Sequence, residues 1–183
     1  MTDPRGQLIA VGERLAAAGL VRESDGNLSI RLGRSSCVMT ATGTHLGNLD
    51  FSDLVEIPVE ALSIPSGATS EAQLHLELYR RRPEVAAVVH AHPPNLLRLD
   101  AEGKLPVWRR LEDGGRMLGG VVAVDYFAEG SEALARAAAS ALRSAKACVL
   151  RRHGAVTVGP SLMAAFVRML DLERAARLSS LRG

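Results

Sequence analysis

The 183-residue sequence has only two cysteines, Cys37 and Cys148, and only two lysines, Lys104 and Lys146. Two cysteines cannot build a dense disulfide framework, which points to a reducing compartment. A Schiff-base mechanism needs a desolvated lysine nucleophile, and this chain offers few to choose from. Also missing is any apolar run near the roughly 20 residues that a spanning helix requires, so no membrane partner is expected. The opening residues (MTDPRGQLIA) carry an early acid and no apolar h-region; no signal peptide is expected, and the chain is assigned to the cytoplasm. There is little excess of either charge: 22 basic residues against 20 acidic ones leave +2. The arginines are spread along the chain, whereas a phosphate backbone selects clustered positive charge, so nucleic acid is not an expected partner. No repeat, linker or low-complexity stretch divides the sequence.

What is present is a globular composition, 47% apolar and 23% charged, long enough for one well-buried domain over residues 1–183. Apolar periodicity predicts an amphipathic helix over 6–20, closed by Gly19. Leu28–Leu32 and Cys37–Ala41 read as strands joined by a turn at 33–36, with a short helix within 48–54 and a strand at 55–59. A helix is predicted over 70–82, with Thr69 or Ser70 as its N-cap and Pro83 as its stop. Val85–Val89 is a continuous β-branched run, the mark of a strand buried on both faces, extended by His90-Ala91-His92. Further strands are expected at 121–127, 147–150 and 155–158. Helices are expected at 95–101, 131–144 and 161–181. Strands and helices interleave, and the hairpin-like pairs point to an α/β fold with a mixed, largely antiparallel sheet.

Three features carry possible chemistry. Histidines at i and i+2 of a strand share a face, with Cα atoms about 6.5–7 Å apart, so His90 and His92 can converge on one metal ion. Two hydrogen-bonded histidines at a strand end is the equal alternative. His153 follows another apolar strand in an Arg-Arg-His-Gly turn, where a plain loop histidine is the simple reading. Glu71 opens a helix, where an acid is favoured by the macrodipole in any case. His75, one turn further on, could brace Glu71; neither it nor His45 is expected to be a ligand. Cys37 and Cys148 read as core thiols. Three polar, glycine-containing segments (25–29, 42–44 and 66–70) combine hydroxyls, backbone N–H groups and a helix start, the makings of an anion site.

The order Gly26-Asn27-Leu28-Ser29, Thr42-Gly43, Thr69-Ser70-Glu71, His90-Ala91-His92-Pro93 and Arg152-His153-Gly154 resembles the class II aldolase/adducin family, over nearly the whole chain. L-fuculose-1-phosphate and L-ribulose-5-phosphate aldolase-like members are the nearest in kind. The resemblance implies a three-layer α/β/α fold around a mixed sheet, usually in a homotetramer. It implies Zn²⁺, or another divalent metal, held by His90, His92 and His153. Glu71 would be both a metal ligand and the proton-transferring base, and Gly26, Asn27, Thr42, Gly43, Thr69 and Ser70 would form the phosphate pocket. The activity implied is a lyase that makes or breaks a C–C bond in a small phosphorylated sugar through an enediolate stabilised by the metal. Dehydratases, epimerases and decarboxylases of the same family are the alternatives. A non-catalytic adducin-like binding module is a third, disfavoured because Glu71 and the three histidines are all present.

Two departures touch the aldehyde side. The family's aldolases usually donate a proton from a neighbouring subunit's tyrosine, and the matching stretch (Pro106 to Leu111) has none. Tyr126 falls near an aromatic that lines the aldehyde pocket in relatives; the proton would come from Tyr126, from a water held by Arg109 or Arg110, or from solvent. Arg109 and Arg110, in the tyrosine-less stretch, suit a substrate with an anionic far end. The C-terminal tail that closes some family sites is expected to be missing.

Overall fold

A computed structural model describes residues 3–112 and 118–180, with Arg110 by its backbone only. The elements in chain order are α1 (Pro4–Ala17), β1 (Asn27–Leu32), β2 (Ser36–Thr40), β3 (Leu54–Pro58), α2 (Ala72–Arg81), β4 (Ala87–Ala91) and α3 (Pro94–Ala101). There follow β5 (Val121–Val124), α4 (Glu132–Ala141), β6 (Ala147–Leu150), β7 (Gly154–Gly159) and α5 (Leu162–Ser180). The seven strands form one open sheet in the order β3-β2-β1-β4-β7-β6-β5. All neighbours are antiparallel except β5 and β6. This is the mixed, largely antiparallel sheet that the hairpin signals predict.

Side-chain alternation along the strands splits the core in two. Leu28, Ile30, Val38, Val89, Ala91, Val149 and Ala155 face α1, α3 and α5. Cys37, Met39, Val88, Cys148, Leu150, Val156 and Val158 face α2 and α4. The result is three layers, with β4 covered on both sides as its unbroken apolar run requires. Leu74, Leu76 and Leu78 of α2 are at most 2% exposed. Truncating one of them to alanine is expected to cost about 2–5 kcal/mol in lost transfer energy and cavity.

Several boundaries differ from the sequence reading. The predicted strand 121–127 ends at Val124, because its partner β6 ends opposite it at Leu150 and turns away, leaving residues 125–127 without a ladder. The helix predicted from Ser70 starts at Ala72, and Glu71 sits in the cap position without capping it. Thr69 and Ser70 are held back in a turn: Thr69 N–H donates to the Thr40 carbonyl and Ala72 N–H to that of Thr69. The short helix expected at 48–54 resolves into two 3₁₀ turns, Leu46–Asn48 and Phe51–Asp53. The first helix begins earlier than predicted, at Pro4, where the side chain of Asp3 accepts from Arg5 N–H.

Candidate active site and metal centre

Strand register assembles the site. His90 pairs with Asn27 on one side and Val156 on the other, near the ends of β4 and β1 where they meet the start of α2. Alternation places His90 on the same sheet face as Val88, the face that α2 covers, so Glu71 meets it directly. His92 lies one residue beyond the strand, fixed by its N–H donating to the Leu20 carbonyl at 2.9 Å. His153 arrives on the turn between β6 and β7. Two close approaches demand glycine. A Cβ on Gly154 would lie 2.5 Å from His92 Cδ2 and 2.6 Å from the Ala91 carbonyl oxygen, and one on Gly26 (φ +75°) would meet the His90 carbonyl at 2.6 Å. The turn that carries His153 is strained at Arg152, whose φ is +63°. Asp100, buried at the end of α3, clamps it: Oδ2 accepts from Arg152 N–H and Oδ1 from the Arg151 guanidinium, both at 2.6 Å.

The three imidazoles converge. Their ligating atoms lie within 4.8 Å of one another, and the ring centroids are 4.8–5.2 Å apart. His90 Nδ1–H donates to the Ala155 carbonyl at 3.0 Å, which turns Nε2 into the cavity. There it stands 2.9 Å from Glu71 Oε2 and 3.1 Å from His92 Nε2. His92 Nδ1 faces the Asp25 carboxylate at 3.4 Å, the kind of outer contact that orients a metal-ligating imidazole. Glu71 Oε1 is buried without any hydrogen-bond partner, 3.9 Å from His153 Nε2. An orphaned carboxylate oxygen beside three convergent imidazole nitrogens is a deficit of positive charge. A divalent cation held by His90, His92 and His153, next to Glu71, fits it.

The electrostatics agree. Burial pushes the Glu71 carboxyl up, but the charge and hydrogen bond of His90, then His153 and the Asn27 amide, outweigh it, and its pKa lies far below the ordinary value. Burial pulls His90 down, but Glu71 and the Ala155 carbonyl more than compensate, so its pKa is raised. His92 is pushed down to about 4, by burial and then by the charge of His90, and His153 moves the same way for the same two reasons.

The remaining predicted site residues line one cavity of about 330 Å³: Gly26, Asn27, Thr42, Gly43, Thr69 and Ser70, together with Glu71 and the three histidines. Asn27 is largely committed inside the protein, bridging Glu71 and His75. Ser24, Asp25 and Glu129 also line the cavity; the sequence reading gave Ser24 and Glu129 no site role and included Asp25 only within the anion segment 25–29. Glu129 was visible only as one acid before a glycine and a helix start. Tyr126 is not brought in: it is exposed on the loop after β5, its ring 4.4 Å from the Arg152 guanidinium carbon. Arg109 stacks on Trp108 and lies outside the cavity lining, and the side chain of Arg110 lies outside the described residues. His45 does not line the cavity, and Cys37 and Cys148 are buried thiols pushed up to about 12 by burial.

Comparison with known proteins matches residues 6–180 to the family described as the class II aldolase and adducin N-terminal domain. An L-fuculose phosphate aldolase of Methanocaldococcus jannaschii is 31% identical over 96% of this chain and 94% of its own. A 3-oxo-tetronate 4-phosphate decarboxylase of Pectobacterium atrosepticum is 30% identical over 98% of this chain and 84% of its own. Among solved structures, an L-fuculose-1-phosphate aldolase from Thermus thermophilus superposes with a TM-score of 0.84. It is 33% identical, over 98% of this chain and 96% of that one.

Proposed function

This chain belongs to the class II aldolase and adducin family, and from that membership we propose that it is a Zn²⁺-dependent aldehyde-lyase acting on a small phosphorylated sugar. The observation that carries the reading is the orphaned Oε1 of Glu71 beside the three histidines. His90, His92 and His153 would hold the ion, with Glu71 beside it. Bound there, the ion supplies Lewis acidity, which stabilises negative charge developing on substrate oxygens as a C–C bond forms or breaks. Glu71 is the base: ionised and buried, it takes a proton from carbon in the synthetic direction and returns one in cleavage. Thr42, Gly43, Thr69 and Ser70 offer hydroxyl and backbone donors beside Gly26, and they hold the phosphate, fixing the reacting carbon in front of Glu71. Asp25 orients His92. The expected assembly is a homotetramer in the cytoplasm.

A second reading, decarboxylation of a keto-acid phosphate, has an observation of its own. Among the described residues that line the cavity there is no tyrosine, lysine or arginine. An aldol cleavage must take the proton of the hydroxyl that becomes the aldehyde; loss of CO₂ from a carboxylate involves no such proton. This reading needs no group in the place of Tyr126, which lies outside the cavity lining. The two are separated by incubating the Zn²⁺-loaded protein with ketose phosphates and keto-acid phosphates and identifying the products. A three-carbon ketone phosphate plus an aldehyde supports the first reading, and CO₂ the second.

A further inference from the structure

Behind Glu71 lies a row of polar side chains that the chemistry above does not use. Asn27 and Ser29 of β1 share one sheet face, and Glu71, His75 and Tyr79 recur every four residues along α2. The two series interleave. Asn27 Nδ2 donates to Glu71 Oε2 at 3.2 Å, and Asn27 Oδ1 lies 2.6 Å from His75 Nε2. His75 Nδ1 lies 2.7 Å from Ser29 Oγ, which is 2.7 Å from the Tyr79 hydroxyl. Ser29 and His75 are wholly inaccessible to solvent, and Asn27 and Tyr79 nearly so.

Such a row has two possible hydrogen-bond directions, and the Glu71 charge selects one. An ionised carboxylate only accepts. With an Asn27 N–H on Oε2, the Asn27 carbonyl faces inward and needs a donor, so His75 carries its proton on Nε2. Its Nδ1 is then a lone pair and accepts from the Ser29 hydroxyl, whose oxygen accepts from Tyr79. Every group is satisfied. The reverse direction sets the Asn27 carbonyl against the carboxylate, and the hydroxyl hydrogen of Tyr79 then finds no acceptor among the described residues. A doubly protonated His75 is unavailable, because burial pushes its pKa down to about 3.

The row also distinguishes the two oxygens of Glu71. Oε2 is claimed by Asn27 and His90, while Oε1 is the buried oxygen without a partner. We propose that Ser29 and His75 are positioning residues: they lock the Asn27 amide with its N–H toward Glu71, which fixes the carboxylate and reserves Oε1 for the metal and the reacting proton. The inference rests on the reading of Glu71 as metal neighbour and base.

Ser29→Ala and Tyr79→Phe, made in the full chain, test it. Each removes one buried hydroxyl, so a merely structural network loses comparably in both. A positioning role separates them. Tyr79→Phe leaves the Ser29 hydroxyl donating to His75, whereas Ser29→Ala leaves Nδ1 without a donor. The readouts are the ¹⁵N shifts of the His75 ring, which report its tautomer, and Zn²⁺ affinity by competition with a chelator. Wild type and Tyr79→Phe are expected to show the Nε2–H tautomer and equal Zn²⁺ affinity. Ser29→Ala is expected to keep the tautomer that Glu71 selects but, with Nδ1 left unpaired and the Asn27 amide less firmly held, to bind Zn²⁺ roughly 10- to 100-fold more weakly, the usual effect of losing an outer-shell partner. An Nδ1–H tautomer in wild type overturns the inference without any variant. So does wild-type Zn²⁺ affinity in Ser29→Ala, or an equal loss of affinity in both variants. Neither readout needs turnover, so a protein inactive on every sugar phosphate would count against the proposed reaction and leave this inference standing.

Discussion

The Ser70 hydroxyl donates to Glu129 Oε1 at 3.0 Å, so an acid already occupies one donor of the proposed phosphate cradle. A phosphate must displace that carboxylate and bear its repulsion. Glu129→Gln is therefore expected to lower KM for a phosphorylated substrate. Ser70→Ala should raise KM more than it lowers kcat, because a remote phosphate contact is mostly uniform binding. Steady-state kinetics with inorganic phosphate as competitor checks both. Unchanged KM values and no inhibition by phosphate would mean a substrate without that group.

Zn²⁺ binding should release a proton. His90 has a raised pKa in the metal-free protein, and a coordinating imidazole must be neutral. Apparent affinity is therefore expected to fall as the pH drops below that raised value and His90 becomes fully protonated. Titration calorimetry in buffers of different ionisation enthalpy measures the release directly. His153→Ala should lose most of the metal, since two imidazoles remain; full occupancy in that variant would remove His153 from the set.

Glu71→Gln keeps the side-chain volume but removes the proposed base. Turnover is expected to fall about 10²–10⁴-fold, the usual worth of a general base, with metal still bound. Near wild-type kcat would return Glu71 to the role of an ordinary helix-start acid.

Asp100 is a structural prediction of the same kind. Asn at this position can accept from Arg151 or from the Arg152 N–H through its one oxygen, not through two. Asp100→Asn is expected to cost about 1–3 kcal/mol of stability for the group left unsatisfied, and to weaken Zn²⁺ binding by loosening the His153 turn. Denaturant unfolding and metal titration read the two effects. Loss of stability with unchanged metal affinity would separate the clamp from the site.

Much of this was legible in the sequence where local pattern and chemistry coincide. The run Val85–Val89 marks the central strand, and the spacing of His90 and His92 marks the end of it where the structure brings three imidazoles together. What the pattern could not give is set by partners distant in sequence. Residues 125–127 look like strand, but strand depends on β6 continuing beside them, and it does not. Glu129 reaches the cavity because it meets Ser70 across 59 residues, and Asp100 holds Arg152 across 52. Nothing in the local sequence around either acid distinguishes it from a solvated loop or helix-end residue. The capping role expected of Thr69 or Ser70 failed for a similar reason: β2 holds Thr69 in a turn, which frees Glu71 to face the histidines rather than its own helix.

The central claim is that Glu71, beside a metal held by three histidines, moves a proton at carbon. The most direct measurement is exchange of dihydroxyacetone phosphate protons in D₂O, followed by NMR, with the Zn²⁺-loaded protein and no aldehyde present. The expected result is stereospecific loss of one proton from the hydroxymethyl carbon, abolished by chelation and by Glu71→Gln. Exchange no faster than in protein-free solution, or equal exchange in Glu71→Gln, would contradict it.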